Sequence, residues 1–246
     1  MKKLYDKNEV TFAVIMIVIY VVGMSIMKDI SEKLGIEYFA ECFFAVILAA
    51  VIMLFITKNG LCRYYSLCAP NTNAKDMLYY IPLFSIPVIP IIFGIGTDNS
   101  TAVIITHTIS MLFVGLLEEV IFRGFLCRGI EKSSRKRAVI ITSLTFGFGH
   151  IANLINGYEI FDNIIQIIYA VAVGFMLVII VIKTGSLISC IIFHSLNNML
   201  ADFCTGERLI TFTGSEKTAE IVMLAFRLLI VLAYTLYVYG KVPDET

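Results

Sequence analysis

Eight long stretches of the chain carry almost no charge: about 10–27, 38–56, 77–95, 103–126, 138–155, 160–182, 186–203 and 219–239. A helix that crosses a bilayer needs about 20 mainly apolar residues, so each window predicts a membrane span. Together they take up most of the 246 residues. Only short connections remain, with no internal repeat or low-complexity tract and no room for a soluble domain. The pattern predicts one all-α polytopic membrane domain over 1–246, with about eight transmembrane helices. The first apolar run is longer than the core of a signal peptide and has no small-residue cleavage site before Lys28, so it reads as the first span. Pro82, Pro87 and Pro90 remove backbone donors from the third, which is expected to be kinked or broken.

Composition agrees: 59% of residues are hydrophobic, 15% are charged and the mean hydropathy is +0.87. A soluble domain carries about 25% charged residues. Nineteen Lys and Arg balance nineteen Asp and Glu, which leaves no basic surplus to grip nucleic acid. The six cysteines (Cys42, Cys62, Cys68, Cys127, Cys190 and Cys204) have no CxxC spacing and read as small core hydrophobes. Orientation follows from the basic residues. With both termini cytoplasmic, thirteen Lys and Arg lie inside, at 2, 3 and 7, at 58, 63 and 75, at 128–137, at 183 and at 241. Four lie outside: Lys28, Lys33, Arg208 and Lys217.

Ionisable groups at bilayer depth are costly, about 2.5–3.5 kcal/mol each on insertion scales, and mark candidate functional positions. The fourth window holds Gly115-Leu-Leu-Glu118-Glu119-Val-Ile-Phe-Arg123-Gly124, the fifth Phe146-Gly-Phe-Gly-His150, and the seventh His194-Ser-Leu-Asn-Asn198. At about 1.5 Å per residue from the cytoplasmic ends, Glu118, His150 and His194 fall at roughly 15, 18 and 12 Å. That common layer predicts one buried polar site between the fourth, fifth and seventh helices, opening toward the cytoplasm. Glu119 and Arg123, at i and i+4, are expected to pair, leaving Glu118 rotated by about 100° and free. His194 and Asn198 share a face by the same spacing. Gly115, Gly124, Gly147 and Gly149 permit close helix approach.

Each residue also has a simpler reading. Glu119 with Arg123 is a structural ion pair, and either histidine alone is an interhelical hydrogen-bond donor. Phe146 packs against His150. His107 has no partner at useful spacing and reads as structural. Arg227 has no carboxylate partner in its own helix and is expected to snorkel or make an interhelical contact.

Hydrolysis by an activated water needs a base, a group to orient the water and donors for the oxyanion; Glu118, His150, His194 and Asn198 supply these parts. There is no HExxH and no GxSxG, and Ser195 adjoins His194 at a spacing where side chains do not meet. Only Asp202 lies near a span, so no aspartyl dyad forms. A Cys190–His194 nucleophile pair remains geometrically open, as does zinc held by Glu118, His150 and His194.

These three strings, in this order, resemble the motifs of the CAAX prenyl protease and bacteriocin-processing (Abi) family of intramembrane endopeptidases, with a motif-bearing core at about 103–203. The resemblance implies cleavage of a peptide or protein tail in or at the bilayer, of the kind that removes a C-terminal tripeptide from prenylated CAAX proteins. It implies Glu118 and His150 as activators of the water, His194 and Asn198 as the oxyanion hole, and Glu119 and Arg123 as supports. Members are often labelled metalloproteases, while a metal-free glutamate mechanism is favoured for the prenyl-protease branch; no cofactor is favoured here and Zn2+ is the alternative. The compact, aliphatic chain resembles a prokaryotic member in the bacterial cell membrane, with peptide processing or bacteriocin self-immunity as its role. A non-catalytic membrane scaffold and an ion-coupled transporter are the alternatives from other classes.

Overall fold

The computed structural model describes residues 1–70, 78 and 80–242; residues 77 and 79 of the third expected span, and Lys75, lie outside the described residues. Twelve α-helices follow in chain order among them: α1 (Lys2–Lys7), α2 (Glu9–Leu34), α3 (Phe39–Lys58), α4 (Tyr80–Ser85), α5 (Thr101–Glu118), α6 (Arg128–Glu131), α7 (Arg135–Gly149), α8 (Ala152–Ile155), α9 (Ile160–Thr184), α10 (Ile188–Ala201), α11 (Glu207–Thr213) and α12 (Glu216–Lys241). A 3-10 turn covers Ile89–Phe93, and a π-helical segment, Glu119–Cys127, joins α5 to α6. The protein is all-helical and spans a membrane.

Among the described residues, six helices rather than eight are long and apolar enough to cross by themselves: Glu9–Leu34, Phe39–Lys58, Thr101–Glu131, Arg135–Ile155, Ile160–Thr184 and Glu216–Lys241. The other two expected spans are shorter apolar pieces, Tyr80–Phe93 and Ile188–Ala201. In the first, the prolines break the ladder, so a six-residue α-turn gives way to the 3-10 turn. In the second, 14 residues rise only about 21 Å. α10 nonetheless packs one face into the bundle, with Cys190 and Phe193 wholly buried while Ile188 and Ile192 face outward.

Side-chain burial follows the solvent a bilayer provides. α2 turns Val14, Val18 and Val22 outward, while Phe12, Ala13, Met16 and Tyr20 face the core with Ile52, Phe55 and Phe125. An apolar rim of this extent is compatible with lipid, since backbone groups are satisfied within the helices. Four contacts gather basic residues at one end. Lys2 Nζ donates to Asn59 Oδ1 at 2.8 Å, Lys132 Nζ to Glu9 Oε1 at 2.7 Å, and Arg128 to Ser66 and Glu131. This is the set that the sequence assigns to the cytoplasm.

Two glycines set how closely the central helices approach. α5 packs on α10, and a Cβ at Gly115 would lie 2.7 Å from the Ser195 amide nitrogen and 2.9 Å from its Cα. α7 packs on α9, and a Cβ at Gly147 would lie 2.9 Å from the Val171 amide nitrogen. Backbone cannot yield as a side-chain tip can. Gly115→Ala is therefore expected to push α5 off α10 and destabilise by about 1–3 kcal/mol, read as a lowered melting temperature in detergent; an unchanged melting temperature would show that the helices separate freely.

Candidate active site

α5 ends at Glu118, and the wider π-helical turns begin at Glu119, so the two glutamates straddle a change of helical winding. Departures of this kind concentrate at functional sites. All nine residues of the π-helical segment are buried. As the sequence predicts, Arg123 pairs with Glu119: Nη1 lies 2.9 Å from Glu119 Oε1, and both side chains are fully buried. The same oxygen lies 2.7 Å from His194 Nδ1.

Glu118 is not free, contrary to the sequence-based expectation. Its Oε1 accepts a 2.7 Å hydrogen bond from the Tyr20 hydroxyl on α2. Its Oε2 approaches His194 Nε2 to 3.1 Å without the alignment of a hydrogen bond. One imidazole on α10 thus bridges two consecutive carboxylates. An α-helical rotation of about 100° between neighbours points them apart; the ring reaches both because its two nitrogens face one carboxylate each.

The proton count is constrained. Two glutamates, Arg123 and His194 sit with less than a tenth of their surface exposed, where charge must balance. Glu119 as the ionised partner of Arg123 accepts from His194 Nδ1–H. Neutrality then leaves one proton for Glu118 and His194 Nε2 to share, as an imidazolium beside a carboxylate or a neutral ring beside a carboxylic acid.

Phe146 ties the elements together. Its ring lies 4.1 Å beneath the Arg123 guanidinium and packs edge-on against His194, His150 and Phe122, with centroids 5.3–5.6 Å apart. The expected packing on His150 is one of four such contacts. His150 follows the last residue of α7, and its backbone carbonyl accepts a 2.8 Å bond from Asn163 Nδ2 on α9. Tyr20, Glu118, Phe146, His150 and Asn153 line a cavity of about 90 Å3, which is room for water beside Glu118. The cavity walls come from the middle of α2 outward (Tyr20 to Ser25) and from Gly149 to Asn156. They lie toward the ends opposite Glu9 and Arg135, so the expected cytoplasmic opening is corrected: the site faces away from the basic end.

Asn198 stands apart from this group. It lines a second cavity, of about 530 Å3, with Tyr169, Asn197 and Arg227. The Cys190 thiol is fully buried and donates to the Leu177 carbonyl, while both ring nitrogens of His194 face carboxylates, so no Cys–His pair forms. His107 does have a partner, which spacing within its own helix could not show. Its Nε2 is 2.9 Å from Asp202 Oδ2, which also accepts from the Tyr38 hydroxyl at 2.8 Å. Burial alone would raise the Asp202 pKa, but these two contacts outweigh it and hold the carboxyl below its ordinary value.

Among the described residues no three His, Cys, Asp or Glu side chains converge as a metal group would require. His194 presents both nitrogens to carboxylates rather than to a shared point with His150, so the Glu118, His150 and His194 set does not fit zinc as arranged. Sequence reasoning missed Tyr20. The signal was present, since Tyr20 lies eleven residues after Glu9, about 16 Å up its helix, in the layer calculated for Glu118.

Residues 99–200 match the family model described as Type II CAAX prenyl endopeptidase Rce1-like. This is the family that the three motifs resemble, and the matched stretch contains Glu118, His150, His194 and Asn198. No curated protein and no solved structure matches the chain.

Proposed function

We propose that this protein is an intramembrane endopeptidase that hydrolyses a peptide bond of a membrane-associated peptide or protein tail with a water activated by Glu118 and His150. The observation that carries the reading is the buried Glu118–His194–Glu119–Arg123 chain beside a water-sized cavity that His150 also lines; the family match supports a peptide as substrate. Glu118 takes the proton of the attacking water, and Tyr20 fixes the carboxylate by its hydroxyl. Glu119, paired with Arg123, accepts from Nδ1–H of His194 and fixes the ring; with Glu118 as the carboxylate and His194 as the imidazolium, Nε2–H is the donor to the oxyanion. Asn198, one turn further along α10, lines the neighbouring cavity and meets the substrate there rather than at the oxyanion. As the tetrahedral intermediate collapses, Glu118 returns the proton to the leaving amine.

With both termini cytoplasmic, the cavity lies toward the outer half of a bacterial membrane, a placement suited to peptide processing or self-protection against a bacteriocin. The test is to incubate purified protein in vesicles with a library of membrane-associated peptides, with and without chelator, and read new termini by mass spectrometry. Cleavage that survives the chelator supports the reading. No cleavage, with Glu118-dependent ion flux in the same vesicles, would replace it with a transporter. Tyr20→Phe is expected to lower kcat about 10- to 100-fold, the worth of a hydrogen bond to a charged group; a variant as fast as wild type would remove Tyr20 from the site.

A further inference from the structure

Arg227 stands near the middle of α12, at membrane depth. Its guanidinium lies 5.3 Å over the ring of Tyr169, whose hydroxyl donates to Asn197 Oδ1 at 3.0 Å. Its Nε is buried without a hydrogen-bond partner, and no carboxylate pairs with it among the described residues. A cation at this depth is costly and is stabilised by a charged or polar partner, and Arg227 faces the 530 Å3 cavity between α9, α10, α11 and α12. That size is in the range that takes a drug-sized ligand or short peptide.

Two features join this cavity to the candidate active site. Asn198 lines it one helical turn beyond His194. Gln166 lines it from α9 and accepts a 2.8 Å hydrogen bond from Asn153, which lines the Glu118 cavity. The Asn153–Gln166 hydrogen bond thus joins the lining of one cavity to that of the other. The remaining charges are acidic: Asp162 and Glu216 are exposed, and Glu220 lies two turns before Arg227 on α12. The cavity thus has an acidic mouth, a layer of amide and phenol groups, and one deep cation.

We infer that this cavity is the subsite for the C-terminal end of the peptide substrate, with Arg227 binding its free carboxylate as a specificity-determining residue. The inference rests on the peptidase reading above. A guanidinium binds a carboxylate through two parallel N–H groups, and the amides of Asn197 and Asn198 suit peptide backbone. The substrate then runs past the Asn153–Gln166 hydrogen bond, with its scissile bond by Glu118 and its terminus by Arg227.

The test uses one fluorescent farnesylated CAAX-type peptide as free acid and as C-terminal amide, with wild type, Arg227→Gln and Arg227→Lys in vesicles. Wild type is expected to show a KM about tenfold lower for the acid, Arg227→Gln a ratio near one, and Arg227→Lys an intermediate ratio that a merely structural role would not produce. Equal acid-to-amide ratios in wild type and Arg227→Gln would overturn the inference. Binding of both peptides to Glu118→Gln protein, with and without Arg227→Gln, separates this from failure of the peptidase reading. Acid-selective binding that needs Arg227, without cleavage by wild type, keeps the subsite and removes the protease; absence of acid-selective binding and cleavage alike removes the subsite.

Discussion

Glu118→Gln is expected to lower kcat for peptide cleavage by about 10^2–10^4-fold, the contribution of a positioned general base, while the protein folds as before. Glutamine keeps the size of the side chain and an oxygen for the Tyr20 hydroxyl, whose bond to Glu118 is 2.7 Å. It removes the basic oxygen that faces His194 Nε2 at 3.1 Å. Kinetics in vesicles, with a melting curve on the same preparation, check both halves. Cleavage at the wild-type rate would take Glu118 out of the reaction; a collapsed melting curve would make it a structural residue.

The second large effect belongs to Arg123. Removing one member of a fully buried ion pair strands the other, at about 3–5 kcal/mol. Here the stranded group is Glu119, whose Oε1 also holds His194. Arg123→Ala also loses the guanidinium stacked 4.1 Å over Phe146. The melting temperature is expected to fall by about 6–20 °C on the scaling for a chain of this size. The double change Glu119→Gln with Arg123→Met, which leaves no charge unpaired, is expected to be less destabilised than Arg123→Ala alone. A single variant that melts with the wild type would show that the pair contributes little to the fold.

The sequence carries much of this arrangement because bilayer depth is a coordinate that can be counted. Glu118 and His194 stand out as polar in apolar runs, and counting residues from the basic ends places them in one layer, where the structure brings them to 3.1 Å. Rotation about the helix axis was less legible. Glu118 and Glu119 are successive α-helical positions that point apart, yet the two nitrogens of one His194 ring, on another helix, reach one carboxylate each. Hydropathy was also blind to where a helix stops: residues 186–203 satisfy a 20-residue span by composition, yet α10 covers Ile188–Ala201. Partners from another helix were hidden for the same reason. Tyr20 reaches Glu118 across 98 positions, and Asp202 reaches His107 across the bundle; spacing within one helix reports neither.

If a water held by Glu118 and His150 is the nucleophile in peptide hydrolysis, its oxygen ends in the product. The most direct test is cleavage of a membrane-associated peptide in 18O-labelled water by wild type and Glu118→Gln, with fragments read by mass spectrometry. Wild type is expected to give a new C-terminal carboxylate carrying 18O, and the variant to give that terminus at about 10^2–10^4-fold lower rate. The same terminus, formed equally fast by both proteins, would contradict this role of Glu118.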